Sequence, residues 1–243
     1  MIGADAVPHT FTPIATLYTC FKEKFGVPRQ MNLVPAARGQ LVFDPAFANM
    51  DAVRDLEKFS HIWLIFVFHQ TRDKTWSALV RPPRLGGNKK AGVFATRSPF
   101  RPNPIGISAV KLDSVENSCD GPVLHLSGVD IVNETPVLDI KPYIPWADAI
   151  VRADGGFADN RPASRLQVIF SSEAQTQCRK MSQQIPNLAS LITQILENDP
   201  RPGYRAGPTT KDKKIYGIRL YDLDVKWQIT DGIARILSLD PIK

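Results

Sequence analysis

Residues 92–112 have the sequence Gly92-Val-Phe-Ala-Thr-Arg-Ser-Pro-Phe-Arg-Pro-Asn-Pro-Ile-Gly-Ile-Ser-Ala-Val-Lys-Leu112. The runs at its two ends, Gly92–Thr96 and Ile105–Leu112, have the β-branched and aromatic content of strands. The linker between them carries three prolines, which are Pro99, Pro102 and Pro104. Each proline ring fixes its own φ and pushes the preceding residue towards an extended conformation, so the linker is stiff.

The same linker displays two guanidinium groups, on Arg97 and Arg101. A stiff backbone that presents planar cations with several donors suits an anionic or planar polar ligand. A solvated proline-rich loop with surface arginines fits the same residues equally well. The local sequence leaves both interpretations open, although loops on rigid scaffolds often carry function.

Most of the first 150 residues favour β-structure. Sequence patterns predict strands at Phe11–Thr19, Ile62–Phe68, Val93–Ala95, Ile105–Leu112, Pro122–Gly128 and Val137–Ile140. The run Ile62–Phe68 is apolar throughout, which predicts a strand buried on both faces. The spacing of Val53, Leu56 and Phe59 predicts one short helix over Ala52–Phe59.

The composition changes after Pro145, and residues 148–162 have the polar, glycine-containing character of a linker. Beyond the linker, the sequence predicts helices from Ser171 or Ser172 to Gln184 and over Asn187–Asn198, and strands at Leu166–Phe170, Ile215–Leu220, Leu223–Ile229 and Ile233–Leu239. We therefore expect a mainly β domain over residues 1–150 and a small α+β domain over residues 151–243.

The formal net charge of +6 is compatible with a polyanionic partner, but it is weak evidence for one. Six cations fall within two dozen residues, at Arg81, Arg84, Lys89, Lys90, Arg97 and Arg101. The cysteines and the four histidines lack the spacing of a zinc site, so we expect reduced thiols and no metal. No signal peptide or membrane-spanning run is evident, which predicts a soluble cytoplasmic protein.

The absence of two motifs narrows the choice of enzyme class. No G-x-G-x-x-G occurs, so a Rossmann-type nucleotide site is not expected. Asn103-Pro104 is followed by Ile105-Gly106 and not by a proline and an aromatic residue, so the stacking motif of many adenine-N6 methyltransferases is absent.

Several long segments, in the same order, resemble the TsaA-like family. They are residues 92–112, Lys22–Gln30, Phe59–Gln70, Thr135–Pro145, Asp199–Tyr204 and Asp222–Thr230, so the resemblance covers nearly the whole chain. It implies a dimeric enzyme with a β-barrel-like, non-Rossmann methyltransferase domain. The implied reaction is S-adenosylmethionine-dependent methylation of N6 of threonylcarbamoyladenosine (t6A), next to the tRNA anticodon at position 37, to give m6t6A.

The resemblance also implies a cofactor site. Its residues are Pro28, Arg29, Gln30, His69, Gln70, Arg97, Ile107, Asn133, Glu134, Thr135 and Pro136. A guanidinium such as Arg29 can hold a carboxylate with two hydrogen bonds. The family usually carries Asp-Gly where this chain has Asn133-Glu134, so we expect Asn133 to adopt the left-handed conformation of a shifted turn.

The alternation of Asp139, Lys141 and Tyr143 predicts that they share one strand face. Such a face is either an active-site floor or an ordinary exposed surface. Because N6 of t6A is a poor nucleophile until it loses its proton, we predict that Asp139 is the general base. We expect the C-terminal domain to bind tRNA. The predicted tRNA contacts, through phosphates and base stacking, are Arg84, Arg101, Asn103, Arg201, Tyr204 and Arg205.

Two other functional classes remain open from the sequence alone. A non-catalytic basic RNA-binding module would bind RNA in a salt-sensitive manner without binding S-adenosylmethionine. A cofactor-sensing interaction protein would bind the cofactor without preference among tRNAs.

Overall fold

The structure is a computed structural model, and it describes residues 9–162, 166–202 and 214–242. Its first part is a closed six-stranded antiparallel barrel with the strand order β1-β2-β7-β6-β3-β8. The barrel strands are β1 (Ala15–Thr19), β2 (Arg38–Phe43), β3 (His61–Val67), β6 (Ile105–Ser118), β7 (Gly121–Ser127) and β8 (Thr135–Pro142). Short strands β4 (Leu79–Val80) and β5 (Ala91–Gly92) pair outside the barrel. The predicted mainly β, barrel-like fold is confirmed.

Side chains alternate between the inside and the outside of the barrel. Ile62, Leu64 and Phe66 of β3 are buried, whereas Trp63 and Ile65 between them are only partly covered. The prediction that this run is buried on both faces was therefore wrong. A barrel strand has one interior face, and the aromatic and aliphatic side chains of the other face lie on the outer surface.

Two local predictions fail for reasons of backbone geometry. The region Ala52–Phe59 forms two 3-10 turns, because Asp55 takes a left-handed conformation with φ of 66° and interrupts any continuous helix. Val93–Ala95 forms a 3-10 turn and not a strand. The proline linker that follows this turn enters β6, which is longer than predicted.

The C-terminal part has α+β structure, as predicted. Its elements are β9 (Gln167–Phe170), α2 (Ser172–Met181), α3 (Leu188–Glu197), β10 (Ile215–Leu220), β11 (Leu223–Thr230) and β12 (Ile233–Pro241), and the short helix α1 (Pro145–Asp148) precedes them. The strands form one sheet in the order β10-β11-β12-β9, with β9 parallel to β12. Ser171 caps α2 by accepting a hydrogen bond from the Ala174 backbone N–H.

The C-terminal sheet packs directly against the chain that leaves β1. Phe21 forms a β-bridge with Leu220, and the Tyr221 backbone N–H donates to the Cys20 carbonyl at 2.8 Å. A side chain added at Gly26, which has φ of 95°, would lie 2.7 Å from Ile218 Cγ2. Backbone hydrogen bonds therefore join the chain after β1 to the C-terminal sheet. The division into two domains at residue 150 stays a prediction.

The three cysteines are free, and burial raises the pKa of the Cys20 thiol to about 12. Among the helices in the described part of the chain, none is long and apolar enough to span a membrane.

Candidate functional site: a cavity at the end of β3

One end of β3 opens into a cavity of about 280 Å³. Its lining comes from four separate stretches of chain, which are residues 24–30, 66–71, members of 97–107 and members of 130–135. Phe66, Ile107 and Ile131 provide apolar walls, whereas Lys24, Arg29, Arg97 and Asp130 provide charge. A cavity of this kind, mainly apolar with a few convergent polar groups, is typical of a small-molecule site.

Eight of the predicted cofactor residues line this cavity, namely Pro28, Arg29, Gln30, His69, Gln70, Arg97, Ile107 and Thr135. Asn133, Glu134 and Pro136 are the three that do not. All three are within two positions of Thr135 in the sequence, but they are not part of the lining. The barrel thus brings together residues that are more than 100 positions apart in the chain.

Arg97 and Gln30 meet across the cavity. The Nη1 of Arg97 donates to Gln30 Oε1 at 3.0 Å, which joins the proline linker to the loop between β1 and β2. Arg29 lies next to Gln30, and its Nη2 donates to the backbone carbonyl of Arg201 at 2.6 Å. The backbone carbonyl of Pro104 accepts from the Phe68 N–H at 2.7 Å, so the end of the linker is tied to the end of β3.

His69 occupies a 3-10 turn directly after β3, and its Nδ1 lies 3.4 Å from Thr135 Oγ1. Partial burial lowers the pKa of His69, and the positive charges of Lys24 and Arg72 lower it further. The imidazole is therefore neutral at pH 7. A neutral ring adds no positive charge to the cavity.

Asp130 was not among the residues predicted from the sequence. It lines the cavity, and its Oδ1 accepts a hydrogen bond from the buried Ser108 hydroxyl at 2.6 Å. Burial raises the pKa of Asp130 to about 6, although the hydrogen bond from Ser108 and the charge of Arg97 oppose this rise. In the sequence, Asp130 could have been selected from its position just before residues 133–136. Its hydrogen bond with Ser108 could not be predicted, because the two residues are 22 positions apart.

The turn at Asn133-Glu134 differs from the prediction. Glu134, and not Asn133, takes the left-handed conformation, with φ of 60°. The Asn133 side chain instead accepts from the Thr19 backbone N–H at 2.9 Å, and the Asn133 backbone N–H donates to the Phe21 carbonyl at 2.8 Å. The left-handed residue of this turn is therefore Glu134, at the position where the resemblance places a glycine.

Asp139, Lys141 and Tyr143 lie on the outer face of the barrel, beside the cavity and not in its lining. Asp139 pairs in register with Ile65, which pairs on its other side with Ile107 at the cavity. The Asp139 carboxylate is half-exposed and forms an ion pair with Lys141 Nζ at 2.9 Å. The Tyr143 ring lies 5.5 Å from that of Trp63. The catalytic role of these residues stays a prediction.

The predicted tRNA contacts are dispersed. Arg84 donates to the Asn160 carbonyl, and Arg101 donates to the carbonyls of Val93 and Thr96 at 3.2 and 2.7 Å, so Arg101 braces its own loop. Asn103 is exposed at the tip of the linker. Arg201 is fully buried in an ion pair with Asp199, which corrects its assignment, because an inaccessible guanidinium cannot contact RNA. Tyr204 and Arg205 lie outside the described residues.

The sequence analysis did not select a group of cations at the cavity, of which Lys24 belongs to the lining. Lys24 Nζ donates to the Gln70 carbonyl at 3.2 Å, and partial burial together with the nearby charge of Lys74 lowers the pKa of Lys24. Arg72 is close enough to His69 to affect its pKa. Across residues 9–162, 166–202 and 214–242, no group of acidic, histidine and cysteine side chains is arranged to hold a metal ion.

Comparisons with known proteins match both parts of the chain. The family model of the tRNA-methyltransferase O N-terminal domain matches residues 16–149, and that of the TrmO C-terminal domain matches residues 163–242. A tRNA (adenine(37)-N6)-methyltransferase of Escherichia coli K12 is 45% identical over 231 residues, which are 95% of this chain and 97% of that protein.

Two further proteins support the same grouping. A putative S-adenosylmethionine-dependent methyltransferase, RcsF, of Pseudomonas aeruginosa is 46% identical over 95% of this chain and 97% of its own length. The crystal structure of TrmO from Pseudomonas aeruginosa superposes with a TM-score of 0.80 at 39% identity, covering 97% of this chain and all of that one. The chain therefore belongs to the tRNA-methyltransferase O family.

Proposed function

We propose that this protein transfers a methyl group from S-adenosylmethionine to N6 of adenosine 37 in tRNA, and that its substrate is t6A and its product m6t6A. As a member of the family it is an enzyme that methylates tRNA. The cavity at the end of β3 carries the proposal for the cofactor, because it collects eight of the residues that the family resemblance assigns to S-adenosylmethionine.

The chemistry of the cavity suits this cofactor. Phe66, Ile107 and Ile131 offer apolar surface to an adenine ring, and Arg29 and Arg97 offer donors to a carboxylate. The ionised carboxylate of Asp130 complements the positive charge of a sulfonium, and the neutral state of His69 avoids repelling it. When bound, S-adenosylmethionine supplies the electrophilic methyl group.

The substrate base is proposed to lie on the outer face of the barrel, where the cavity opens beside Ile107. The rings of Trp63 and Tyr143 offer a surface on which an unpaired base can stack. We retain Asp139 as the proposed general base, since it shares this face and is separated from Ile107 only by the intervening strand. Lys141 forms an ion pair with the carboxylate of Asp139 on this face.

The tRNA backbone is proposed to contact the cations beside the cavity. Lys24, Arg72 and Lys74 lie close enough together to influence one another or His69 electrostatically. Such a group attracts phosphates that flank a base inserted into the site, and its affinity for RNA depends on salt. Arg84, Arg101, Asn103, Tyr204 and Arg205 remain predicted contacts. A cytoplasmic location is a prediction that follows from the tRNA substrate.

A homodimer is part of the proposal. Apolar side chains are concentrated on the outer face, where Ile105 and Ile107 are 40% and 51% exposed, and in the segment after β8, where Trp146 and Val151 are 87% and 95% exposed. Apolar patches of this kind commonly mark protein interfaces. An Ile105→Asp variant, which leaves the cavity lining unchanged, should be monomeric in light scattering if this face joins two copies.

Methyl transfer to tRNA can be tested with S-adenosylmethionine that carries a deuterated methyl group. The protein is incubated with tRNA that contains t6A and with the same tRNA lacking the threonylcarbamoyl group, and the nucleosides are analysed by mass spectrometry. The proposal predicts labelled m6t6A from the first tRNA and little label in the second. Equal labelling of both would refute the t6A requirement. Absence of label from both, with intact RNA binding, would favour a non-catalytic RNA-binding module.

A further inference from the structure

The loop that connects β1 to β2 carries Pro28, Arg29 and Gln30, and the C-terminal part of the chain holds this loop at several points. The Ala36 backbone N–H donates to Gln194 Oε1 at 2.9 Å. Asn198 Nδ2 donates to the Leu33 carbonyl at 3.3 Å. Both partners belong to the C-terminal end of α3 or to the residue directly after it.

The contact nearest to the cavity is the one between Arg29 and Arg201. Arg29 Nη2 donates to the Arg201 carbonyl at 2.6 Å, across 172 residues of sequence. A short hydrogen bond from a charged donor restricts the direction of the guanidinium. The orientation of Arg29 in the cavity therefore depends on where the backbone of Arg201 lies.

The backbone at Arg201 is fixed by a buried ion pair. Arg201 Nε and Nη2 donate to the two carboxylate oxygens of Asp199 at 2.8 and 2.9 Å, and both side chains are at most 1% exposed. Asp199 has φ of 46°, and its Oδ1 also accepts from the Arg201 backbone N–H at 3.3 Å. The pair thus closes a tight turn directly after α3 and sets the direction of the Arg201 carbonyl.

We propose that the buried Asp199–Arg201 pair is a positioning element of the cofactor site, which orients Arg29 through the Arg201 carbonyl. The inference rests on the proposed binding of S-adenosylmethionine in the cavity. It assigns to the C-terminal part of the chain a direct share in cofactor binding, beyond any contact with tRNA. Arg201 acts in this way through its backbone, while its side chain serves to hold the turn.

The pair can be removed with little change in packing. In the double substitution Asp199→Asn/Arg201→Met, asparagine tolerates the left-handed backbone and keeps an acceptor for the residue 201 N–H, while methionine fills the buried space without leaving an unpaired charge. The affinity for S-adenosylmethionine is measured by calorimetry in the Arg29 background and in the Arg29→Ala background. Circular dichroism and thermal unfolding verify that each variant is folded.

If the pair acts through Arg29, the double substitution weakens cofactor binding about tenfold in the Arg29 background, which is the scale of one misdirected charged hydrogen bond. In the Arg29→Ala background it changes binding by less than about twofold, because the two effects are not independent. Unchanged affinity in a folded variant, or the same loss in both backgrounds, would overturn the inference. Failure of the unaltered protein to bind S-adenosylmethionine would instead refute the proposed cofactor.

A second measurement uses the unaltered chain and does not depend on the folding of a variant. Hydrogen–deuterium exchange is compared with and without S-adenosylmethionine for peptides that cover residues 24–37 and 194–202. We expect both peptides to become protected together. Protection of residues 24–37 without any change at 194–202 would contradict the proposed coupling.

Discussion

Ser108 donates a hydrogen bond of 2.6 Å to Asp130 and so fixes its carboxylate at the wall of the cavity. Burial raises the pKa of Asp130 to about 6, so the group is ionised at pH 7 and becomes neutral as the pH falls through 6. A cationic cofactor binds better beside the ionised form. Proton binding at Asp130 and cofactor binding therefore oppose each other.

Calorimetry between pH 7 and pH 5 should show a severalfold loss of affinity for S-adenosylmethionine as the pH falls. Asp130→Asn should abolish this pH dependence, and Ser108→Ala should move its midpoint to higher pH because the ionised form loses a hydrogen bond. The matched control is Asp113→Asn. Partial burial would raise the pKa of Asp113, but hydrogen bonds from Lys111 and Ser127 outweigh it and lower that pKa, so this group stays ionised. An unaltered pH profile in Asp130→Asn would refute the role of Asp130.

Glu134→Gly should stabilise the fold. A residue with a Cβ atom is strained at φ of 60°, which is the backbone conformation of Glu134. Glycine removes this strain and should raise the free energy of unfolding by about 1 kcal/mol. Chemical denaturation measures the change. Glu134→Ala, which removes the side chain but keeps the Cβ atom, separates backbone strain from side-chain effects and should give no gain. Equal stabilisation by both substitutions would show that the side chain, and not the backbone, is responsible.

Gly106→Ala should change the shape of the cavity by displacing the Phe66 ring. An added Cβ would lie 2.4 Å from Phe66 Cζ, so the ring, which lines the cavity, has to move. We expect a loss of about 1–3 kcal/mol in the free energy of unfolding, together with weaker cofactor binding. Gly92→Ala is the control, because nothing lies within 4 Å of its added Cβ and its φ is −59°. Comparable losses in the two variants would contradict the packing argument.

Asp139→Asn should slow methyl transfer by at least about a hundredfold while leaving cofactor affinity unchanged, if Asp139 removes the N6 proton. Single-turnover assays with saturating tRNA measure the rate. Asp240→Asn provides a matched control, since Asp240 forms a similarly exposed pair with Lys226 at 3.0 Å in the C-terminal sheet. Near-normal turnover of Asp139→Asn would remove Asp139 from the role of base.

Local patterns were sufficient where the structure depends on local interactions. The alternation in β10, β11 and β12 and the apolar face of α3 predicted those elements to within two residues at each end. The helix predicted over Ala52–Phe59 failed because its apolar spacing does not reveal the left-handed backbone of Asp55. The strand β2 was not predicted, although both of its neighbours in the barrel depend on it for pairing.

The candidate site could be predicted only in part, because contacts between distant segments of the chain form it. The family resemblance pointed to eight of the residues that line the cavity. It did not point to Asp130, whose environment depends on Ser108 in another strand. The burial of Arg201 was equally hidden, because an arginine beside prolines and a glycine has the sequence context of an exposed loop. Contacts between distant segments determine both cases, and no local pattern encodes them.

The most direct test of the cavity as the cofactor site is a calorimetric titration of S-adenosylmethionine into the unaltered protein, Arg97→Ala and Arg54→Ala. Arg97 lines the cavity, whereas Arg54 forms an exposed ion pair with Asp51 elsewhere. We predict one cofactor bound per chain, at least about tenfold weaker binding in Arg97→Ala, and no change in Arg54→Ala. Absence of binding to the unaltered protein, or equal affinity in all three, would contradict the account.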